Sequence, residues 1–259
     1  MSNPFVLVPH WPSMPKGVAA LSTTRCGGFS TGPYDDGRGG GGFNLGLHCG
    51  DDTDTVYRNR ERLQHLLPGQ PAWLSQVHGA AVADAAKVLA GEPARADASV
   101  ATEHGVVCAV MTADCLPVIL ADTAGKVVGA AHAGWRGLAA GVLGATVGEM
   151  RARGAADIVA WMGPAIGPGQ FEVGQDVLDT FMSVGWGEGA AVRKCFATHQ
   201  EHDGKYLADI YALARIALAA EGVTDVAGGT HCTYTERETF YSYRRDHVTG
   251  RQATLVWLR

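Results

Sequence analysis

Three short segments of this 259-residue chain each set a soft or borderline metal ligand among small residues. They are Ser75-Gln76-Val77-His78-Gly79, Thr112-Ala113-Asp114-Cys115-Leu116-Pro117 and His132-Ala133-Gly134-Trp135-Arg136-Gly137. Two imidazoles and a thiol make an N₂S donor set. That is one ligand short of a closed structural zinc site and matches a catalytic zinc with an open position. The same residues serve other chemistries. Cys115 can act as a nucleophile, with His132 as its base and Asp114 as the orienting carboxylate, which would make a metal-free hydrolase. His78, His132 and Cys115, with Met111 as an axial ligand, also match a mononuclear copper set. A multicopper oxidase fits poorly, because the ten histidines include no His-x-His pair. Taken singly, a buried Cys is usually a small hydrophobe and a His near a strand end is usually a satisfied polar residue. A non-catalytic binding module is therefore a further alternative, and spacing alone does not choose among these.

Each candidate ligand falls at the end of an expected strand. Buried, Val- and Ile-rich runs at 105–111 and 117–121 flank Asp114-Cys115, and a strand at 126–131 ends at His132. A Gly-Trp-Arg-Gly turn then leads into a helix at 138–153. Further strands are expected at 18–24, 158–162 and 253–258, and a short apolar segment at 73–77 ends at His78. Apolar spacing predicts amphipathic helices at 54–67, 173–184 and 207–221. The glycine run at 37–42 reads as a flexible surface loop, and it lacks the Gly-Lys-Ser/Thr of a phosphate-binding P-loop. Strands and helices interleave without a strict βαβ rhythm. The expected fold class is α/β (α+β), a single domain over 1–259 with mixed sheets layered with helices, rather than a Rossmann fold.

The chain is 46% hydrophobic and 18% charged, and a net charge of −5 without a basic run argues against nucleic-acid or membrane partners. Residues 1–15 have neither a basic n-region nor a long apolar h-region, and no apolar run approaches a membrane span. The six scattered cysteines read as free thiols or ligands rather than a disulfide framework. A cytoplasmic protein is expected. A monomer is compatible with the sequence, which leaves the oligomeric state open.

The three ligand segments also resemble the hallmarks of a known family. They are accompanied by TTRCGGFS at 23–30, NLGLHCGDD at 44–52, GPAIG at 163–167, and SYRRD with TGR between 242 and 251. From about residue 18 to 259 the chain looks like the YfiH or laccase-domain family, also known as polyphenol oxidases and multifunctional purine nucleoside phosphorylases. One departure is the long glycine-rich stretch between Tyr34 and Asn44. The resemblance implies an α-β-β-α sandwich and a zinc held by His78, Cys115 and His132, with copper as an alternative. It implies phosphorolysis of adenosine, inosine and methylthioadenosine, with some adenosine deamination. The partners would then be a purine nucleoside and phosphate. Copper-dependent phenol oxidation and editing of peptidoglycan precursors are the alternative activities. Under the phosphorolysis reading, Cys115, Asp114 and Arg245 are the candidate catalytic residues. Arg25, Arg136, Asn44 and Gln76 are the candidate substrate contacts, the arginines because a planar guanidinium grips phosphate.

Overall fold

The structure, a computed structural model, describes residues 5–91, 94–186 and 189–259. Two mixed sheets form its middle. The first has the strand order Val6–Leu7, Val18–Thr23, Gln252–Leu258, Val107–Thr112, Pro71–Ala72. The second has the order Val226–Gly228, Ile158–Met162, Leu116–Asp122, Val128–Ala133, Ala98–Ala101, Val82–Asp84.

Side chains alternate across a strand, so a strand buried on both faces feeds two cores. Val107, Ala109 and Met111 pack outward with Leu63 of the helix Thr53–Gln64, together with Phe43 and Leu45. Cys108 and Val110 point the other way, against Ile119 and Ala121 of the second sheet. Leu116, Val118 and Leu120 then face Val147 and Met150 of the helix Val142–Ala152 and Leu213 of the helix Ile210–Ala220. Helix, sheet, sheet and helices thus stack with three apolar seams, as the resemblance implied. A small third sheet, Glu172–Gly174, Lys205–Ala208 and Phe196–Thr198, sits beside the second helical layer.

The elements differ from their sequence expectations in instructive places. The strand expected at 126–131 is Val128–Ala133, so His132 lies within it. The helix expected at 138–153 is two helices, Trp135–Ala139 and Val142–Ala152, broken at Gly141, whose φ of 88° lies in the left-handed region. The helices expected at 173–184 and 207–221 both begin later, at Gln175 and Ile210. Their first residues belong instead to the paired strands Glu172–Gly174 and Lys205–Ala208.

The glycine run is only partly the surface loop expected. Gly41 accepts from Gly28 N (3.0 Å), and Gly42 is buried, bridging to Cys26 and Ser30. A Cβ at Gly42 would sit 1.7 Å from Tyr34 O, so that end of the run is fixed by close backbone approach. Among the described residues no helix is long and apolar enough to cross a membrane.

Candidate metal centre

The chain leaves the first sheet at Thr112 and enters the second at Leu116, so residues 113–115 cross between layers. Asp114 makes the turn with φ of 87°, an uncommon conformation for a non-glycine residue. Both oxygens of its carboxylate are engaged: Oδ1 accepts from Thr233 Oγ1 and Oδ2 from Arg244 N, each at 2.6 Å. Asp114 therefore holds the Cys115 corner in shape rather than facing substrate. In the second sheet Pro117 pairs with His132, which places Cys115 beside the end of the His132 strand.

His78 reaches the same place from a loop. The amides of Val77 (3.2 Å), His78 (2.9 Å) and Gly79 (2.7 Å) all donate to the carboxylate of Asp97, which has no solvent exposure. The same carboxylate bonds His132 Nδ1 at 2.8 Å. One buried anion thus positions two candidate ligands. Because its Nδ1 is occupied, His132 offers Nε2 to the site. A carboxylate holding the far nitrogen of a metal-ligating imidazole is the usual support for such a ligand.

One ligand atom from each of His78, Cys115 and His132 lies within 4.8 Å of the others, with Cys115 Sγ 3.8 Å from His78 Nε2. Burial on its own would raise the Cys115 thiol, but His132 and then His78 outweigh it and bring the sulfur down to about 6. Burial likewise disfavours a charged His132, yet the Cys115 sulfur and Asp97 hold it up at about 9. The sulfur is thus a thiolate at neutral pH, the form that binds metal, and a cation taking the imidazole lone pair replaces the proton. Two nitrogens and a thiolate, preset by packing and a buried carboxylate, fit a zinc-type ion.

Glycine at 134 is required by this closeness. A Cβ there would lie 2.9 Å from Cys115 Sγ and 3.1 Å from His78 Cδ2. Gly134→Ala is expected to push the ligands apart and weaken zinc binding by roughly 10- to 100-fold, the scale on which ligand orientation matters. Competition with a chromophoric chelator measures this, and unchanged affinity would show the ligands to be looser than their packing indicates.

A second group of metal-competent side chains, Glu172, His199 and His202, lies at the third sheet. There His199 Nδ1 accepts from the amides of Glu201 and His202, both at 3.2 Å. That leaves the hydrogen on Nε2, which faces Glu172 Oε2 at 3.5 Å. The group is a hydrogen-bonded clasp rather than a metal cage.

The triad opens into a cavity of about 800 Å³. Of the expected substrate residues the structure brings Gln76 to its wall, with its amide clamped to Met111 by Nε2–O and N–Oε1 bonds of 2.8 Å each. The other three, Arg25, Asn44 and Arg136, and the catalytic candidate Arg245 are not brought to the wall. Arg25 is buried, with its guanidinium spent on the carbonyls of Asp35 and Arg237. Arg245 donates from every guanidinium nitrogen to the carbonyls of Thr233, Tyr234 and Phe240 and to Asp246. Asn44 is fully buried between Gly46, Asp51 and Arg251 N. Arg136 is exposed and lies over the Trp135 ring at 4.4 Å.

In their stead the wall carries His48, Arg60, Trp73, Thr112, Tyr243 and Arg251. Four of these stand inside segments that carried the resemblance: Thr112 in the Cys115 segment, His48 in NLGLHCGDD, Tyr243 in SYRRD and Arg251 in TGR. The same segments thus bring to the wall other residues than the ones expected there. Asp97 and Arg60 had no local signal at all.

This fold and donor set define an α-β-β-α sandwich with a His₂Cys centre at the crossing between its sheets. The family model described as multi-copper polyphenol oxidoreductase laccase matches residues 19–259, and the chain belongs to that family. It is 54% identical over 258 residues to a purine nucleoside phosphorylase, YfiH, of Escherichia coli K12, covering 98% of each chain. It is 49% identical over 255 residues to a purine nucleoside phosphorylase of Pseudomonas aeruginosa, again covering 98% of each. A crystal structure of a Neisseria meningitidis protein superposes with a TM-score of 0.87 at 48% identity, covering 98% of this chain and 99% of that one.

Proposed function

We propose that this protein is a zinc-dependent purine nucleoside phosphorylase acting in the cytoplasm on adenosine, inosine and methylthioadenosine, with adenosine deamination as a secondary activity. The observation that carries the reading is the convergence of the His78–Cys115–His132 triad on a cavity that also presents aromatic faces and cations. The names of the relatives at 54% and 49% identity support it.

His78, Cys115 and His132 would hold the zinc. When bound, the ion supplies a Lewis acid and a positive charge facing the cavity. The residues of the chain do the rest. Asp97 keeps the His132 ring and the His78 loop in register with Cys115. Trp73 and Tyr243 offer flat apolar surface to a purine. Phosphorolysis joins a phosphate oxygen to ribose C1′ while the purine leaves with the electron pair of the glycosidic bond and takes up a proton.

One observation favours a second reading. The Cys115 thiolate beside His132 is also the arrangement of a thiol hydrolase. The copper oxidase reading has less support. Met111 lines the cavity, but its Sδ is already met by Arg60 Nη2 at 3.9 Å.

Chromatography of adenosine incubated with the zinc-loaded protein tests the reading. Adenine released only when phosphate is present is the expected result. Release that is independent of phosphate, or no release, overturns it.

A further inference from the structure

The cavity wall holds Arg60, Arg251 and His48 and not one Asp or Glu. The arginine–carboxylate ion pairs among the described residues belong to Arg25, Arg38, Arg151, Arg153 and Arg245. Arg60 and Arg251 therefore stand half-buried without a counter-ion. A guanidinium withdrawn from water without an anion is unfavourable unless a ligand supplies one.

Both side chains are held in place from behind. Arg60 Nε and Nη2 donate to Leu45 O at 2.9 and 2.8 Å, and the guanidinium lies over the Trp73 ring at 4.3 Å. Arg251 Nη1 donates to the carbonyls of Thr249 (3.0 Å) and Gly250 (2.9 Å). Among the described residues this leaves Arg60 Nη1 and Arg251 Nε and Nη2 without a protein acceptor. Asp51, an acid close by in sequence to His48, is turned away onto Asn44 Nδ2 and Asp52 N.

The electrostatics place the cationic groups of the wall together. His48 is drawn below its ordinary value by burial and then by Arg251 and Arg60, which places all three groups within electrostatic reach of one another. Burial also draws Arg60 down to about 10, so it stays charged at neutral pH.

We infer that Arg60, Arg251 and His48 form a phosphate subsite within the triad's cavity. That the anion serves phosphorolysis rests on the function proposed above; the existence of the subsite does not. The phosphate is either free orthophosphate or the phosphoryl group of a nucleotide, and the binding chemistry is shared.

Calorimetry on the zinc-loaded, full-length protein separates these. Orthophosphate, adenosine and adenosine 5′-monophosphate are titrated separately into wild type, Arg60→Gln and Arg251→Gln. Orthophosphate affinity is expected to fall roughly 10- to 100-fold in each variant, the scale of a lost charge-assisted contact, with adenosine binding changed less than about twofold. If wild type instead prefers the monophosphate to adenosine and the variants lose that preference, the subsite stands with a nucleotide as its source. In kinetics the same variants raise the KM for phosphate more than the KM for nucleoside. Arg251→Lys keeps charge without the fork and should fall between wild type and Arg251→Gln, which guards against a misfolded variant. Unchanged binding of both phosphate probes in both Gln variants overturns the inference. Phosphate binding without any phosphorolysis would leave the subsite standing and remove the proposed function alone.

Discussion

Cys115→Ala is expected to bind no stoichiometric zinc and to lose more than about 100-fold in kcat/KM for phosphorolysis, because even the hydrogen-bond partners of a ligand are worth roughly 10- to 100-fold. The thiolate is the one anionic donor of the triad, so its loss leaves two imidazoles and no charge to offset a divalent cation. The fold should persist. Cys115 is half-exposed at the cavity wall, and the turn that carries it is pinned by Asp114 to Thr233 and Arg244. Circular dichroism and elemental analysis check the two halves of this expectation. Chelation of the wild type supplies the decisive comparison. Stripped protein should match the variant and recover with added zinc. A stripped wild type that keeps its rate, while Cys115→Ala does not, would make the sulfur a nucleophile and end the metal reading.

Asp97→Ala should be the most damaging single change to stability near the site. It orphans three backbone N–H groups and the Nδ1 of His132. Removing one partner of a buried charged network costs about 3–5 kcal/mol. For a chain of this size that corresponds to a fall of roughly 10 °C in Tm. Asp97→Asn separates folding from ligation. The amide keeps the shape and one acceptor, so stability falls less. Its NH₂ accepts no hydrogen bond, so the one remaining oxygen cannot serve both the loop amides and His132 Nδ1, and one of the two candidate ligands loses its support. Zinc affinity is then expected to fall roughly 10- to 100-fold in a protein that melts closer to wild type. Asp97→Ala protein that melts and binds zinc like wild type would remove Asp97 from any positioning role.

What could be read from the sequence follows how local each signal is. The strands near 105–111 and 117–121 were legible because a strand buried on both faces reads as a near-continuous apolar run, as these do, and the strand at 253–258 was legible from its alternation. The ligands were legible because each sits in a motif whose small residues have a local reason, as Gly134 shows by its approach to Cys115 Sγ. The strands Glu172–Gly174 and Lys205–Ala208 were hidden, since the helical spacing of the residues after them runs back through them. Pairing distant in sequence makes them strands, 33 positions apart at Val173 and Tyr206, with Phe196–Thr198 on the other side of Lys205–Ala208. Asp97 was missed because a single carboxylate at the head of the strand Ala98–Ala101 looks like any loop acid. Its importance comes from the loop at 77–79 folding over it. Arg60 reads as an ordinary polar position on the helix Thr53–Gln64. Its place in the wall depends on where that helix docks. Arg25 and Arg245 show the opposite case: their guanidinium groups bond to the backbone around them, which their motifs do not disclose.

The loop that carries His78 grips both layers at once. Gln76 clamps Met111 of the first sheet, while Val77, His78 and Gly79 clasp the carboxylate that precedes the first residue of a strand in the second. Cys115 closes the path between the same two sheets. The jaw that would grip the ion is therefore set by the thickness of the sandwich, and its gauge is the apolar seam of Val110, Ile119 and Val256. Such a site need not be gathered by the metal, because packing remote from the ligands has already fixed their spacing. Selectivity among ions would then depend on the volume of those inner side chains as well as on His78, Cys115 and His132.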